Sequence, residues 1–150
     1  MRGERILVLN ASRVLIVALS ISSVVLTSGR AQETFSARLT MMPIDEVNRG
    51  LVTGEGSASA SIDDESLAIS GSFTGLQGAA TAARLHKSLD RGIRGPALYD
   101  LEVESATEGS FSGEIELTPD QVELLLDGRL YITIYSQSAP EGNLWGWLLQ

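Results

Sequence analysis

Apolar and polar residues alternate with period two over most of the second half of this chain and much of the first. Such alternation places every second side chain on one face, as in a half-buried β-strand. Residues 35–42 put Phe35, Ala37, Leu39 and Met41 on one side and Ser36, Arg38 and Thr40 on the other, before Pro43 removes a ladder donor. Residues 51–62 set Ala58, Ala60 and Ile62 against Ser57, Ser59 and Ser61, and the turn residues Asp63-Asp64-Glu65 follow. Residues 66–74 complete a hairpin with Leu67, Ile69 and Phe73 inward, and Gly71 breaks the phase and suggests a bulge. Gly75-Leu76 reads as a turn with one buried anchor. Residues 81–86 form a strand with Ala83 and Leu85 on one face and Arg84 and His86 on the other.

Residues 87–95 are a charged, glycine-bearing loop, and Pro96 opens a strand over 97–103. A second hairpin follows, with Phe111, Gly113, Ile115 and Leu117 alternating against Ser112, Glu114 and Glu116. Thr118-Pro-Asp-Gln121 is a capping box with proline at the first helical position. Val122, Leu125 and Leu126 give the helix its apolar stripe, and Gly128 ends it. Leu130, Ile132 and Ile134 alternate with Tyr131, Thr133 and Tyr135. Pro140–Asn143 is a turn, and residues 144–149 form the last strand. The pattern therefore predicts an all-β domain, an antiparallel sandwich or barrel with one short helix.

The N-terminus has a different character. Arg2, Arg5 and Arg13 precede the apolar run 14–26, and Gly29 and Ala31 are small residues in signal-peptidase positions. This is the order of a secretory signal. The expected division is a signal peptide over 1–31, cleaved after Ala31, and one β domain over 32–150. An uncleaved anchor is the rival, but the run is short for a bilayer span of about 20 residues. The predicted location is periplasmic or extracellular, with no membrane insertion after cleavage.

Charge and composition narrow the partners. The chain carries 11 basic and 19 acidic residues, and residues 32–150 carry 7 and 18, so the mature part has formal charge −11. Nucleic acid and anionic lipid repel such a surface, and neither is expected as a partner. There is no cysteine, which excludes disulfides and thiolate metal sites.

With one histidine, His86, the chain cannot supply the several imidazoles of a copper centre, and the spacing does not suggest a three-ligand zinc site. A serine nucleophile would need His86 or Lys87 as base, and there is no Gly-x-Ser-x-Gly elbow. No catalytic residue, metal ligand or cofactor is assigned. Two constellations remain. Arg84, His86, Lys87, Arg91 and Arg94 form a local cationic stretch that could capture an anionic group; the plainer reading is a solvated loop paired with Asp90 and Asp100. Glu102, Glu104, Glu114 and Glu116 would share one exposed face, where calcium could relieve their repulsion or water simply tolerate it. Trp145 and Trp147 pin the terminal strand to the core, or form an aromatic ligand platform beside Tyr131 and Tyr135.

The order of these motifs resembles the chordin-type CHRD domain family. The matching stretches are Phe35–Leu39 with Pro43, Gly75-Leu76, Ala82-Ala83-Arg84-Leu85-His86, Gly92, Gly95-Pro96 and Leu101. Gly113, Leu117–Gln121, Leu130–Ser136 and Pro140–Leu148 complete the series. The resemblance implies a Greek-key sandwich or barrel related in shape to copper/zinc superoxide dismutase, in an exported protein of a family not known for enzymes. The chain departs from the family pattern where it carries histidines: the first of its HIH pair is Arg84 here, and that of its later HT is Tyr135. The expected function is a non-catalytic binding or assembly module for a protein or glycan, with Arg84, His86, Lys87, Arg91, Arg94, Tyr135, Trp145 and Trp147 as candidate contacts. The alternatives are a metal-dependent, dismutase-like enzyme and a structural cell-envelope protein.

Overall fold

The computed structural model describes residues 32–150. The signal segment assigned to 1–31 lies outside the described residues. Eight strands and one helix follow in order: β1 (Glu33–Met41), β2 (Glu55–Asp63), β3 (Ser66–Thr74), β4 (Ala80–Lys87), β5 (Ala97–Val103), β6 (Gly109–Glu116), α1 (Pro119–Leu126), β7 (Leu130–Ser136) and β8 (Leu144–Trp147). The strands close into a barrel in the order β1-β2-β3-β6-β5-β4-β7-β8, and all neighbours are antiparallel. The run β7-β4-β5-β6 has the 4-1-2-3 order of a Greek key.

Closure is uneven. Within β1-β2-β3-β6 and within β5-β4-β7-β8 the ladders are mostly long, whereas β5 meets β6 through two residue pairs and β1 meets β8 through two. A bridge between Ser36 and Leu149 reinforces the second seam. The molecule is thus a sandwich whose two four-stranded halves are stitched at both edges.

Alternation decides what faces the core. Ala58, Ala60 and Ile62 of β2 and Leu67, Ile69 and Phe73 of β3 are buried, with the intervening serines largely outward. Gly71 corrects the expectation of a bulge. It stays in phase, paired with Ala58 and Phe111, and the Phe111 ring fills the space its side chain would take. A glycine inside a strand can mark close packing as well as a bulge. Alternation slips at the end of β1, where Met41 is exposed and Met42 is buried, and in β4, where an irregularity between Ala80 and Ala82 leaves both Ala80 and Ala83 buried.

The helix has both halves of the predicted capping box: the Gln121 amide donates to Thr118 Oγ1, and the Thr118 amide donates to Gln121 Oε1. Its C-terminus is a Schellman arrangement, with Arg129 N–H to the Leu124 carbonyl and Gly128 N–H to that of Leu125, and Gly128 at φ +66°. The stripe is shifted from the expected one: Leu125 is buried, Val122 and Leu124 pack against the core, and Leu126 is exposed.

Strand β7 departs most from the half-buried pattern. Tyr131 and Thr133, on its outer face, are each only 2 % exposed. Over Tyr131 the cause is the loop 88–95, whose Gly95 bonds the tyrosine hydroxyl, whereas Thr133 lies between Arg84 and Trp145 with Gly142 close to its methyl group. The loop is anchored by Ser88 N–H to the Arg129 carbonyl, Arg129 Nε to the Ser88 carbonyl, and Lys87 N–H to the Pro96 carbonyl.

Candidate functional site

Strand pairing builds the candidate site on the outer face of β4, β7 and β8. His86, Tyr131 and Trp147 form one row across the three strands, and Arg84, Thr133 and Trp145 form the next. Tyr135 stands opposite Ala82 at the end of the face. Side chains of neighbouring strands on one face lie about 5 Å apart. The rings touch accordingly. His86 stacks on Tyr131 at 4.9 Å between centroids, Tyr131 packs on Trp147 at 4.6 Å and meets Trp145 edge-on at 6.0 Å, and the two tryptophans lie 5.9 Å apart.

His86 is at the centre of a polar network. Its Nδ1 is 3.0 Å from the Gly95 carbonyl and its Nε2 is 3.0 Å from the Tyr135 hydroxyl. A carbonyl can only accept, so Nδ1 carries the proton of the neutral ring and Nε2 accepts from Tyr135. Tyr131 holds the same glycine from its other end: it accepts from the Gly95 amide at 2.9 Å and donates to the Gly95 carbonyl at 3.2 Å. Gly95 must be glycine for this approach, since a Cβ there would collide with the Lys87 carbonyl.

Two guanidiniums flank the network. Arg84 pairs with Asp100 at 2.8 Å and lies 5.2 Å from the centre of the Tyr135 ring, and the Asp100 hydrogen bond holds its pKa above the usual arginine value. Arg94 donates to the Glu141 carbonyl at 3.3 Å. Burial pushes the His86 pKa below its ordinary value; the Gly95 carbonyl opposes this, and the charges of Arg84 and Arg94 add to it. Burial likewise pushes the Tyr131 hydroxyl up, against the Gly95 amide.

A depressed histidine pKa has a definite sign in stability. The unfolded chain binds the His86 proton near the ordinary value of about 6.5, while the folded protein binds it only at lower pH. The His86 contribution is therefore fully present above pH 6.5 and is lost as pH falls below it. Urea melts at pH 7.5 and 5.5 should show a larger loss for the native protein than for His86→Gln; equal losses would remove His86 as the source.

The structure thus brings together only part of the cationic stretch. A cleft of about 310 Å³ is lined by Met42, Arg84, His86, Arg94, Gly95, Tyr131, Thr133, Tyr135, Pro140 and Glu141. Lys87 and Arg91 are not among its walls. Lys87 is exposed at the end of β4, and the Arg91 guanidinium lies against Gly128 behind the helix. Trp145 and Trp147 are half-buried beside the cleft, and Trp145 is the strand neighbour of Thr133.

Gly95, Thr133, Met42 and Glu141 were absent from the residues the sequence singled out. Gly95-Pro96 in the charged loop was the one available signal for Gly95. Thr133 reads as an ordinary outward threonine, and nothing local announces that it will be buried.

The four glutamates do not form one cluster. Glu102 faces Ser112, Glu114 faces Ala68, and Glu116 faces Ser66. Glu104 turns back onto the Ser110 amide and hydroxyl, which hold its pKa low. Two larger hollows, of about 500 and 560 Å³, lie over the small side chains of the opposite half. They are open depressions walled largely by Ser, Ala and Gly, with Asp100, Glu102 and Glu114 at one of them, and Asp100 is already paired with Arg84. Among the described residues no three His, Asp or Glu side chains come together as a metal-binding group. Both nitrogens of His86 are hydrogen-bonded within the protein.

Fold and site together define an antiparallel Greek-key β-barrel with an aromatic and cationic cleft on one outer face. The CHRD domain family matches residues 35–148, and the chain belongs to that family. No curated protein and no solved structure matches it. Tyr135 donates to His86 Nε2, and the charge of Arg84 acts on the same ring. No helix among the described residues is long and apolar enough to cross a membrane.

Proposed function

We propose that this CHRD domain is an exported, non-catalytic module that binds a glycan or protein partner on the outer face of β4, β7 and β8. The observation that carries this reading is the aromatic surface of Tyr135, Trp145 and Trp147, held over the fully buried Tyr131. Aromatic side chains with one face open offer large contact area at small entropic cost. The pillar beneath them keeps that surface in place before any ligand arrives. The non-catalytic reading is supported by the chemistry of His86, the one imidazole, whose two nitrogens serve the Gly95 and Tyr135 contacts. Export rests on the order of charge, apolar run and small residues before Gln32.

Trp145 and Trp147 are the only tryptophans of the chain, so its intrinsic fluorescence reports wholly on this face. Titration with neutral and acidic oligosaccharides should shift that emission saturably. Trp147→Ala should weaken binding by about tenfold or more, the loss of one well-placed aromatic contact. Protein from the exported fraction should begin at Gln32. Saturable binding that ignores Trp147→Ala would place the ligand elsewhere, and a chain that keeps its first 31 residues would refute cleavage.

A further inference from the structure

We infer that the cleft recognises the carboxylate of a uronic acid residue in an acidic polysaccharide. The inference rests on the reading of this face as a binding surface and adds the chemistry of its ligand. The first argument is charge. On a domain of formal charge −11, two of seven basic residues, Arg84 and Arg94, line one cleft of about 310 Å³. Arg84 is paired with Asp100, whereas Arg94 makes no ion pair among the described residues and donates only to the Glu141 carbonyl. The cleft so offers one uncommitted guanidinium, which suits a singly charged carboxylate that it can grip with two parallel N–H bonds. A doubly charged phosphate would bring more charge than the one uncommitted guanidinium balances, in a cleft that Glu141 also lines.

The second argument is a hydroxyl. Thr133 is 98 % buried and lines the cleft, and its side chain makes no hydrogen bond among the described residues. Its hydroxyl can both donate and accept. No enclosed side-chain nitrogen or oxygen among the described residues lacks a partner, so the unbonded Thr133 hydroxyl is open to the cleft, where a ligand can bond it. Tyr135 gives its proton to His86 Nε2, so its oxygen remains an acceptor for a sugar hydroxyl.

The third argument is shape. Trp145 is the strand neighbour of Thr133, so an aromatic surface adjoins the polar cleft about 5 Å away. A pyranose presents an apolar face for such a ring and hydroxyls at its edge. A uronate adds the carboxylate that reaches Arg94. An acidic peptide would satisfy the guanidinium and leave the aromatic surface and the two hydroxyls unused.

The test titrates the full chain with oligogalacturonate, a neutral oligosaccharide of equal length, and oligoglutamate. Tryptophan emission and calorimetry provide the readouts. Oligogalacturonate should bind best, and Arg94→Gln should weaken it by about tenfold or more, the value of a charge-assisted contact. Thr133→Val, which keeps the shape and removes the hydroxyl, should weaken it several-fold, and the Arg94→Gln loss should be smaller for the neutral sugar, which has no carboxylate to pair with the guanidinium. Equal affinity for neutral and acidic sugars, with no effect of Arg94→Gln, overturns the uronate and leaves the binding face standing. Oligoglutamate binding as tightly, with the same Arg94 dependence, overturns it in favour of a peptide. Binding of none of the three overturns the uronate and removes glycans from the proposed function, which then rests on a protein partner.

Discussion

Gly146→Val should lower the melting temperature by about 5–10 °C, because it forces apart the edge at which the barrel closes. Gly146 pairs with Ile132 of β7 and turns its missing side chain toward β1. A Cβ there would come 2.5 Å from the Arg38 carbonyl oxygen and 2.7 Å from Leu39 Cδ2. The first neighbour is backbone and cannot rotate away. Leu39 is fully buried, so it cannot swing out into solvent without giving up its place in the core. The seam between β1 and β8 is short: Thr40 with Trp145, Met41 with Leu144, and the bridge of Ser36 with Leu149, bonded at 2.7 and 2.9 Å. Gly146 lies between those attachments, so crowding strains both. Overpacking of this kind costs about 1–3 kcal/mol. The control is Ser72→Val, which adds the same branched side chain at an exposed position of β3 and should stay within about 0.5 kcal/mol. Equal melts for the two variants would show that β1 relaxes away from β8 freely.

The alternation that revealed the strands also identified their inward faces, because burial on one side of a sheet imposes period two on the chain. Ala58, Ala60, Leu67, Ile69, Ile132 and Ile134 are all where that rule puts them. The helix was legible for an equally local reason: the cap, the first-turn proline and Gly128 act within a few residues of one another. What the pattern did not carry is contact between distant segments. Gly71 looked like a break in β3, but its reason is the Phe111 ring, 40 positions later. The cationic stretch read as one unit because its members are close in sequence. A strand end and a loop then send Lys87 and Arg91 away from Arg84 and Arg94. The cleft itself is assembled by tertiary folding, since its walls come from β4, β7, the loop carrying Gly95 and the turn carrying Glu141. The histidine-poor chemistry was visible at once, as a matter of composition alone.

Tyr131→Ala should be the most damaging change on the outer face, at about 3–5 kcal/mol, although alternation alone would make this residue a solvent-facing one. The ring is 2 % exposed and is enclosed by His86, Trp145 and Trp147, so truncation removes the partner of three other rings. Tyr131→Phe separates the ring from its hydroxyl. The ring contacts survive, but the Gly95 amide loses its acceptor and the Gly95 carbonyl one of its donors. Stranding a buried donor costs about 1–3 kcal/mol, so the phenylalanine variant should fall between the native protein and the alanine variant. The loop should register the loss first, as faster hydrogen exchange at the Gly95 amide. Arg94 is the next residue along that loop and lines the cleft, so Tyr131→Phe should also weaken any ligand that Arg94 holds while leaving the tryptophans in place. Urea melts of both variants, with exchange measured at Gly95, separate these effects. A cost below about 1 kcal/mol for Tyr131→Ala would mean that the tyrosine is a contact surface and not the pillar beneath one.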